Sequence, residues 1–412
     1  MAYIDLPGDM LRDTAEMPLL TTVVEHQPTL TRPPESKIQE ALAKLSKASR
    51  PLIIVGKGAS YSRGASEAIK AFIERSNFPF LASPMGKGCV PDDHPNSVAS
   101  ARSLALQKAD VILLLGARLN WILHFGQPPR FDPNVTFIQV DVCAEEFSDP
   151  INKVLGLQGD VGLTMKAMLG HALTSCQSPS WWNELNEKVK ANKLATQELA
   201  SDISTPLNYY AVFQTLESMI PRDAIIVSEG ANTMDIGRTM LLNSLPRHRL
   251  DAGSFGTMGV GLGFAIAAAL YVRDHAPGQR VICVEGDSAF GFSGMEMETI
   301  VRYKLPIIVV IVNNNGIYGG LDQELFEDIR GQDPSRNVPP TSLLPSVKYE
   351  KFSEMLGFAN GRLCTNVDEI REAFGAALSK PDEPAMLNIF INPMAQRKAQ
   401  PFEWLTRSPS KL

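Results

Sequence analysis

Apolar residues in this chain gather in short continuous runs rather than alternating with polar ones. Runs over 52–55, 80–82, 109–119 and 135–142 fill the first half. Continuous runs of this length predict strands buried on both faces, as in a parallel sheet covered by helices. Between them, apolar positions recur at helical spacing over 36–46 and 64–76, and Gly56-Lys57-Gly58 marks a turn after the first strand. Residues 36–172 therefore read as one parallel α/β domain. Upstream, an apolar run at 3–6 ends at Pro7 and predicts a strand. The polar, proline-bearing stretch that follows, up to residue 35, reads as a linker. Residues 173–206 are polar and helix-prone and read as an interdomain connector, with Trp181 and Trp182 packed against a domain face.

The second half repeats the pattern. A helix is expected over 207–220 and a strand over 224–230. A glycine-rich loop with glycines at 253, 256, 259, 261 and 263 then runs into an apolar helix. Strands at 280–285, 306–312 and 385–391, with helices at 293–304 and 367–378, complete a second domain over 207–395, followed by a tail over 396–412. The predicted class is α/β, with two doubly wound parallel-sheet domains. A strand, a crossover helix and a second strand make parallel neighbours, so both strands end on one edge. That puts Asp287 and Asn314 side by side at the carboxyl edge, where open α/β sheets bind ligands. A carboxylate, an amide oxygen and backbone carbonyls form an oxygen-only set that suits Mg²⁺. Gly286 lets backbone approach a diphosphate closely, and the N-terminus of the helix at 293 adds a favourable field.

Composition narrows the classes. Hydrophobic content of 44% and charged content of 20% are ordinary for a globular chain. A formal charge of −6 argues against nucleic-acid binding, so any phosphate-bearing ligand must meet local basic residues. No apolar run approaches the roughly 18 residues of a membrane span, and the N-terminus lacks the basic and apolar segments of a secretory signal. The five cysteines are scattered without a CxxC pair, which indicates reduced thiols and no zinc site. The final Ser410-Lys411-Leu412 reads as a peroxisomal address for an import receptor.

Gly286-Asp287 at one strand end and Asn313-Asn314 at the next resemble the motif that anchors thiamine diphosphate through Mg²⁺. The segments GDSAFGFSGME, GANTMDIGR, SPMGKG, ARS and GARLNW resemble the oxalyl-CoA decarboxylase / 2-hydroxyacyl-CoA lyase group over nearly the whole chain. With the S-K-L ending, the likeness lies nearest its peroxisomal lyases. The resemblance implies that Asp287, the Asn314 side chain and the Gly316 carbonyl hold Mg²⁺. Ser288, Ala289 and Tyr318 would touch the diphosphate, and Ala231, Asn232 and Thr233 would lie near the cofactor. Met258 would prop the cofactor into its bent shape, and the loop residues Gly256 and Thr257 would flank it, Gly256 offering its carbonyl to the aminopyrimidine. The loop from Ser83 to Lys87, Arg102 and Arg238 would meet CoA or a related nucleotide. Without the resemblance, Met258 reads as core packing, Asn232 and Thr233 as turn caps, and each basic residue as a surface charge.

The implied reaction cleaves a 2-hydroxyacyl-CoA to formyl-CoA and an aldehyde one carbon shorter, a step of fatty acid α-oxidation. In such enzymes an additional N-terminal α/β domain carries the glutamate that protonates the cofactor ring. No residue here matches that glutamate, so the catalytic residue is unassigned. The resemblance thus implies an N-terminally truncated form that acts as a homo-oligomer or beside a full-length chain. Oxalyl-CoA decarboxylation, and a non-catalytic CoA- or nucleotide-binding partner, remain alternatives.

Overall fold

The computed structural model describes residues 4–14, 29–148, 152–172, 178–253 and 255–395. The chain divides into two units, Met1–Leu30 and Thr31–Leu412. In the first, a 3-10 turn forms over Met10–Arg12. Of the strand expected at 3–6, Ile4–Leu6 carry no strand, with Ile4 and Leu6 exposed, and residue 3 lies outside the described residues. A strand needs a paired neighbour to satisfy its backbone groups, and an isolated apolar run has none.

The second unit holds two all-parallel sheets. The first comprises β1 (Pro51–Val55), β2 (Phe80–Ala82), β3 (Val111–Leu115), β4 (Thr136–Asp141) and β5 (Lys153–Gln158), in the order β2-β1-β3-β4-β5. The second comprises β6 (Ile225–Glu229), β7 (Arg249–Asp251), β8 (Val281–Gly286), β9 (Ile307–Asn313), β10 (Asn360–Cys364) and β11 (Ala385–Phe390), in the order β10-β11-β9-β8-β6-β7. Every residue of β1, β6, β8 and β9 is buried, as continuous apolar runs require. Helices cover both faces of each sheet, giving two hydrophobic clusters per sheet.

Strand order reverses between β1 and β3 in the first sheet and between β6 and β8 in the second. At each reversal the connecting helices leave to opposite faces and open a crevice at the strand ends. Both crevices are lined by glycines where side chains would not fit. A Cβ on Gly56 would collide with the Gly116 carbonyl, and one on Gly230 (φ +98°) would stand 3.2 Å from the Gly286 nitrogen.

Several expected elements shift. The turn at 56–58 is already helical, with a helix over Lys57–Tyr61. The helix expected at 293–304 is two pieces, Asp287–Ser293 and Glu296–Arg302. Gly286 is extended (ψ 157°), so helical geometry starts at the next residue, at the strand tip itself. The polar stretch before β6 folds as a helix over Pro179–Ser201. Its Trp181 is buried in the cluster of Leu52, Ile54 and Phe137, and donates to the Pro51 carbonyl at 3.1 Å. No helix among the described residues is long and apolar enough to cross a membrane.

Candidate active site

β8 and β9 pair in register from Val281↔Ile307 to Gly286↔Val312, so Asp287 and Asn314 follow directly on neighbouring tips. Asp287 is buried (1% exposed). Its Oδ1 accepts from Ser288 N at 2.8 Å and its Oδ2 from Gly316 N at 3.0 Å. Burial pushes its carboxyl up to about 7 against the pull of those amides and of Asn315 N. A buried carboxyl of this kind gains from a cation beside it. The three consecutive asparagines divide their work. Asn313 donates to the Asn388 side chain at 3.1 Å and Asn315 to the Leu321 carbonyl at 2.9 Å, which builds the loop. Asn314 instead turns inward, donating to the Tyr318 carbonyl at 3.1 Å. Asn232, on the helix Ala231–Met240 that follows β6, donates to the same carbonyl at 2.9 Å. Asn232 therefore ties the end of β6 to the turn after β9; that helix has no side-chain cap bond, so it is not a turn cap.

Around this junction the surfaces are small. Gly286 faces the Thr233 hydroxyl, with 3.2 Å between Oγ1 and the place of a Cβ, and Ala289 is fully buried. Gly316 admits no Cβ either: one would stand 2.8 Å from the carbonyls of Gly319 and Thr341. Among the described residues no three His, Cys, Asp or Glu gather as a metal cluster. The donor set is instead one carboxylate, one amide and backbone oxygens, which fits Mg²⁺ with water and phosphate completing its octahedron. Ser288 and Ala289, in the first turn of the helix beginning at Asp287, lie where a diphosphate would meet backbone N–H groups. Tyr318 contributes its carbonyl to the junction while its side chain is exposed (62%).

The glycine-rich loop approaches from β7. Gly256 (φ +65°) and Thr257 are exposed, and Met258 is half-buried and joins none of the four hydrophobic clusters. The bland reading of Met258 as core packing thus loses its support. A Cβ on Gly256 would stand 3.8 Å from the Trp121 ring, so the loop lies against the turn that follows β3.

Three further residues at this edge were not singled out in the sequence. Glu229 ends β6 and Glu285 is the penultimate residue of β8; they are opposite one another in the ladder and both fully buried. Glu229 accepts from the amides of Gly259 and Gly261. Glu285 accepts from the Cys283 thiol at 3.2 Å, and its Oε2 has no hydrogen-bond partner among the described residues. Burial first, then the neighbouring Glu229, push Glu285 up to about 8. Two adjacent buried carboxyls do not both ionise readily, so near neutrality Glu285 keeps its proton. The repeated Glu-Gly at the ends of two apolar strands was the available signal. Tyr209 is the third: it is buried, and its phenol is pushed up by burial and by the Asp287 charge.

The first crevice has the opposite character. A cavity of about 70 Å³ opens at the ends of β1 and β3, lined by Lys57, Ser83, Gly116, Arg118, Ile122 and Gly253 among others. Arg102 lies beside it, donating to the Ile122 carbonyl at 3.0 Å. Burial, with Arg130 and Arg238 nearby, lowers Arg102 to about 10, which leaves it charged at neutral pH. Lys87 is not at this surface: it is buried 2.6 Å from the Asp92 carboxylate. Arg238 is engaged by Asp235 at 3.0 Å and by Asp251 at 3.1 Å. Lys57 and Arg118 are the cations lining the cavity, and neither was foreseen. Ser410, Lys411 and Leu412 lie outside the described residues.

Residues 38–168 match the family model of the thiamine pyrophosphate enzyme central domain, and residues 229–389 that of the C-terminal TPP binding domain. The chain is 52% identical over 416 residues to mouse 2-hydroxyacyl-CoA lyase 1, covering 98% of this chain and 71% of that protein. It is 39% identical over 401 residues to oxalyl-CoA decarboxylase of Escherichia coli K12, covering 95% and 68%. Among solved structures, benzoylformate decarboxylase of Polynucleobacter necessarius superposes with a TM-score of 0.70 at 20% identity, covering 96% of this chain and 70% of that one, which is a likeness of fold.

Proposed function

This chain belongs to the thiamine pyrophosphate enzymes, within the 2-hydroxyacyl-CoA lyase / oxalyl-CoA decarboxylase family, and from that membership we infer a carbon–carbon lyase acting on 2-hydroxyacyl-CoA. The products are formyl-CoA and an aldehyde shortened by one carbon. The observation that carries the reading is the junction at the second sheet's edge, where Asp287, Asn314 and Asn232 converge on the Gly316–Tyr318 turn. Asp287, the Asn314 amide oxygen and the Gly316 carbonyl would hold Mg²⁺. Ser288, Ala289 and the first turn of the Ala231–Met240 helix would receive the diphosphate. Thiamine diphosphate, when bound, supplies a nucleophilic carbon and an electron sink for cleavage next to a thioester carbonyl.

The remaining work falls to this chain's own groups. Gly230, Gly286 and Gly316 keep the crevice narrow enough for backbone contact. Met258, half-buried on its loop, shields the far side from water. Lys57, Arg118 and Arg102 set a positive field at the first crevice for the phosphates of CoA or a related nucleotide. Exposed Phe255, Phe292 and Tyr318 around the second edge support work as a homo-oligomer or beside a longer relative. The Ser410-Lys411-Leu412 ending supports a peroxisomal location, checked by imaging a fusion with and without the tripeptide.

The test is product analysis with thiamine diphosphate and Mg²⁺, run in parallel on a long-chain 2-hydroxyacyl-CoA and on oxalyl-CoA. Formyl-CoA with a shortened aldehyde from the first substrate supports the lyase. Formyl-CoA and carbon dioxide from the second alone would move the assignment to the decarboxylase. Cofactor and CoA binding with no product from either would favour a non-catalytic binding partner.

A further inference from the structure

Glu229 stands outside the magnesium set, yet it is a fully buried acid at the end of an otherwise apolar strand. A buried carboxylate is costly unless its oxygens are satisfied. Here both oxygens are satisfied by a single feature, the glycine-rich loop: Oε1 takes the Gly259 amide and Oε2 the Gly261 amide. Gly261 opens the helix Gly261–His275, whose own capping position is Val260, a residue with no side-chain acceptor. The first N–H groups of a helix have no partner within it. Glu229 supplies that partner from a neighbouring strand, as a cap delivered across the fold rather than along the chain.

The rest of the loop is lightly held. Gly253 N bonds the Asp251 carboxylate at 2.9 Å and Gly256 N bonds the Ala252 carbonyl at 2.7 Å. Residues 255–257 are exposed, Phe255 at 90%. The turn needs left-handed backbone at Gly256 (φ +65°) and Gly259 (φ +82°), a conformation that glycine adopts freely and that nothing local enforces. Glu229 therefore pins the loop on the side of Met258 away from β7. Close packing keeps the pin in place, since a Cβ on Gly261 would overlap the Glu285 carboxyl.

We propose that Glu229 is a positioning residue for the cofactor: by holding the Gly259 and Gly261 amides it fixes the loop in the shape that sets Met258 and the Gly256 carbonyl against the aminopyrimidine. The inference rests on the function proposed above, and it assigns Glu229 to the ring end of the ligand and Asp287 to the phosphate end. The two ends separate with two probes. Magnesium pyrophosphate reports the phosphate end alone, whereas thiamine diphosphate with saturating Mg²⁺ reports both.

Calorimetric titration of the full chain with each probe gives the test. Glu229→Gln keeps the size but replaces one acceptor by a donor facing an N–H. It is expected to weaken thiamine diphosphate about tenfold or more, the scale of a lost helix cap, and to leave magnesium pyrophosphate within about twofold. Gly259→Ala approaches the loop from its half-exposed side, straining the positive φ and bringing a Cβ 3.1 Å from that of Phe292. It should show the same split even if the Gln variant does not fold. In the unliganded protein, chymotrypsin should cut after Phe255 several times faster in Glu229→Gln than in wild type. Equal loss of both probes in both variants would make Glu229 a general structural residue and overturn the proposal, as would thiamine diphosphate affinity within twofold of wild type. Wild type that binds neither probe, or Asp287→Ala that still binds magnesium pyrophosphate, would bring down the underlying reading instead.

Discussion

The two sheets solve the same topological problem and end in opposite electrostatics. Each is all-parallel, each reverses its strand order next to its first strand, and each opens a glycine-lined crevice there. At the β1/β3 crevice the side chains are Lys57, Arg118 and Arg102. At the β6/β8 crevice they are Glu229, Glu285 and Asp287, all buried. On the function proposed above, the first would hold an anion directly. The second would not, because a diphosphate is repelled by the ionised carboxylates there, Glu285 keeping its proton, unless a cation lies between them. On that reading, one fold would thus provide a metal-independent anion site and a metal-dependent one, set apart by the charged residues around each crevice.

The sharpest way to break the contrast is at its acidic pole. Asp287→Ala should lower affinity for thiamine diphosphate in Mg²⁺ by at least about 100-fold, since even outer-shell changes at metal sites cost about 10- to 100-fold. Titration calorimetry measures this, and affinity within tenfold of wild type would remove Asp287 from the metal set. At the basic pole, Arg118→Ala should weaken CoA binding by roughly three- to tenfold, the scale of one partly exposed charge-assisted hydrogen bond. Arg118 is about half exposed and shares its charge with Glu146 at 3.5 Å, which limits the effect. Thiamine diphosphate binding should stay within about twofold, and a matching loss of both ligands would show that the crevices are not independent.

The mildest probe is stability against pH. Glu285 keeps its proton to about pH 8 in the fold, against an ordinary value of 4.5. Between those values the unfolded chain has released a proton that the folded chain still holds, so stability falls as pH rises through the window. Below about pH 4.5 the two states are protonated alike and the effect is absent. Glu285→Gln stays neutral throughout. It should melt several degrees above wild type at pH 8.5 and within about a degree of it at pH 4.5, by differential scanning calorimetry. An equal shift at both pH values would indicate a packing effect rather than titration.

The sequence revealed the centres of the sheets and hid their rims. The buried runs of β1, β3, β4, β6, β8, β9 and β11 were legible because both faces are covered, so most positions are apolar. β5, β7 and β10 were missed; all three lie at sheet edges, where KVLGLQ and NGRLC mix exposed and buried positions and RLD is three residues long with charges at both ends. β2 is the edge strand that did show, because Phe80 and Leu81 are buried. Within the site, Asp287 and Asn314 were legible because strand-helix-strand topology fixes which tips are neighbours. Lys57 and Arg118 were not, because the turn at 56–58 is folded into a helix that presents Lys57 to the cavity. Glu229 was hidden for a related reason. Its partners are backbone amides thirty or so residues away, and backbone carries no sequence mark. Lys87 and Arg238 were assigned to the nucleotide by resemblance, and the fold pairs them with Asp92, Asp235 and Asp251.

The claim that the second crevice takes a diphosphate only through a divalent cation, while the first takes its anion without one, meets its most direct test in a chelator experiment. Thiamine diphosphate and CoA are titrated separately into the protein with Mg²⁺ and again with excess EDTA. The expected result is that EDTA abolishes the thiamine diphosphate isotherm and leaves the CoA isotherm unchanged. Thiamine diphosphate binding of equal strength in EDTA would contradict the account.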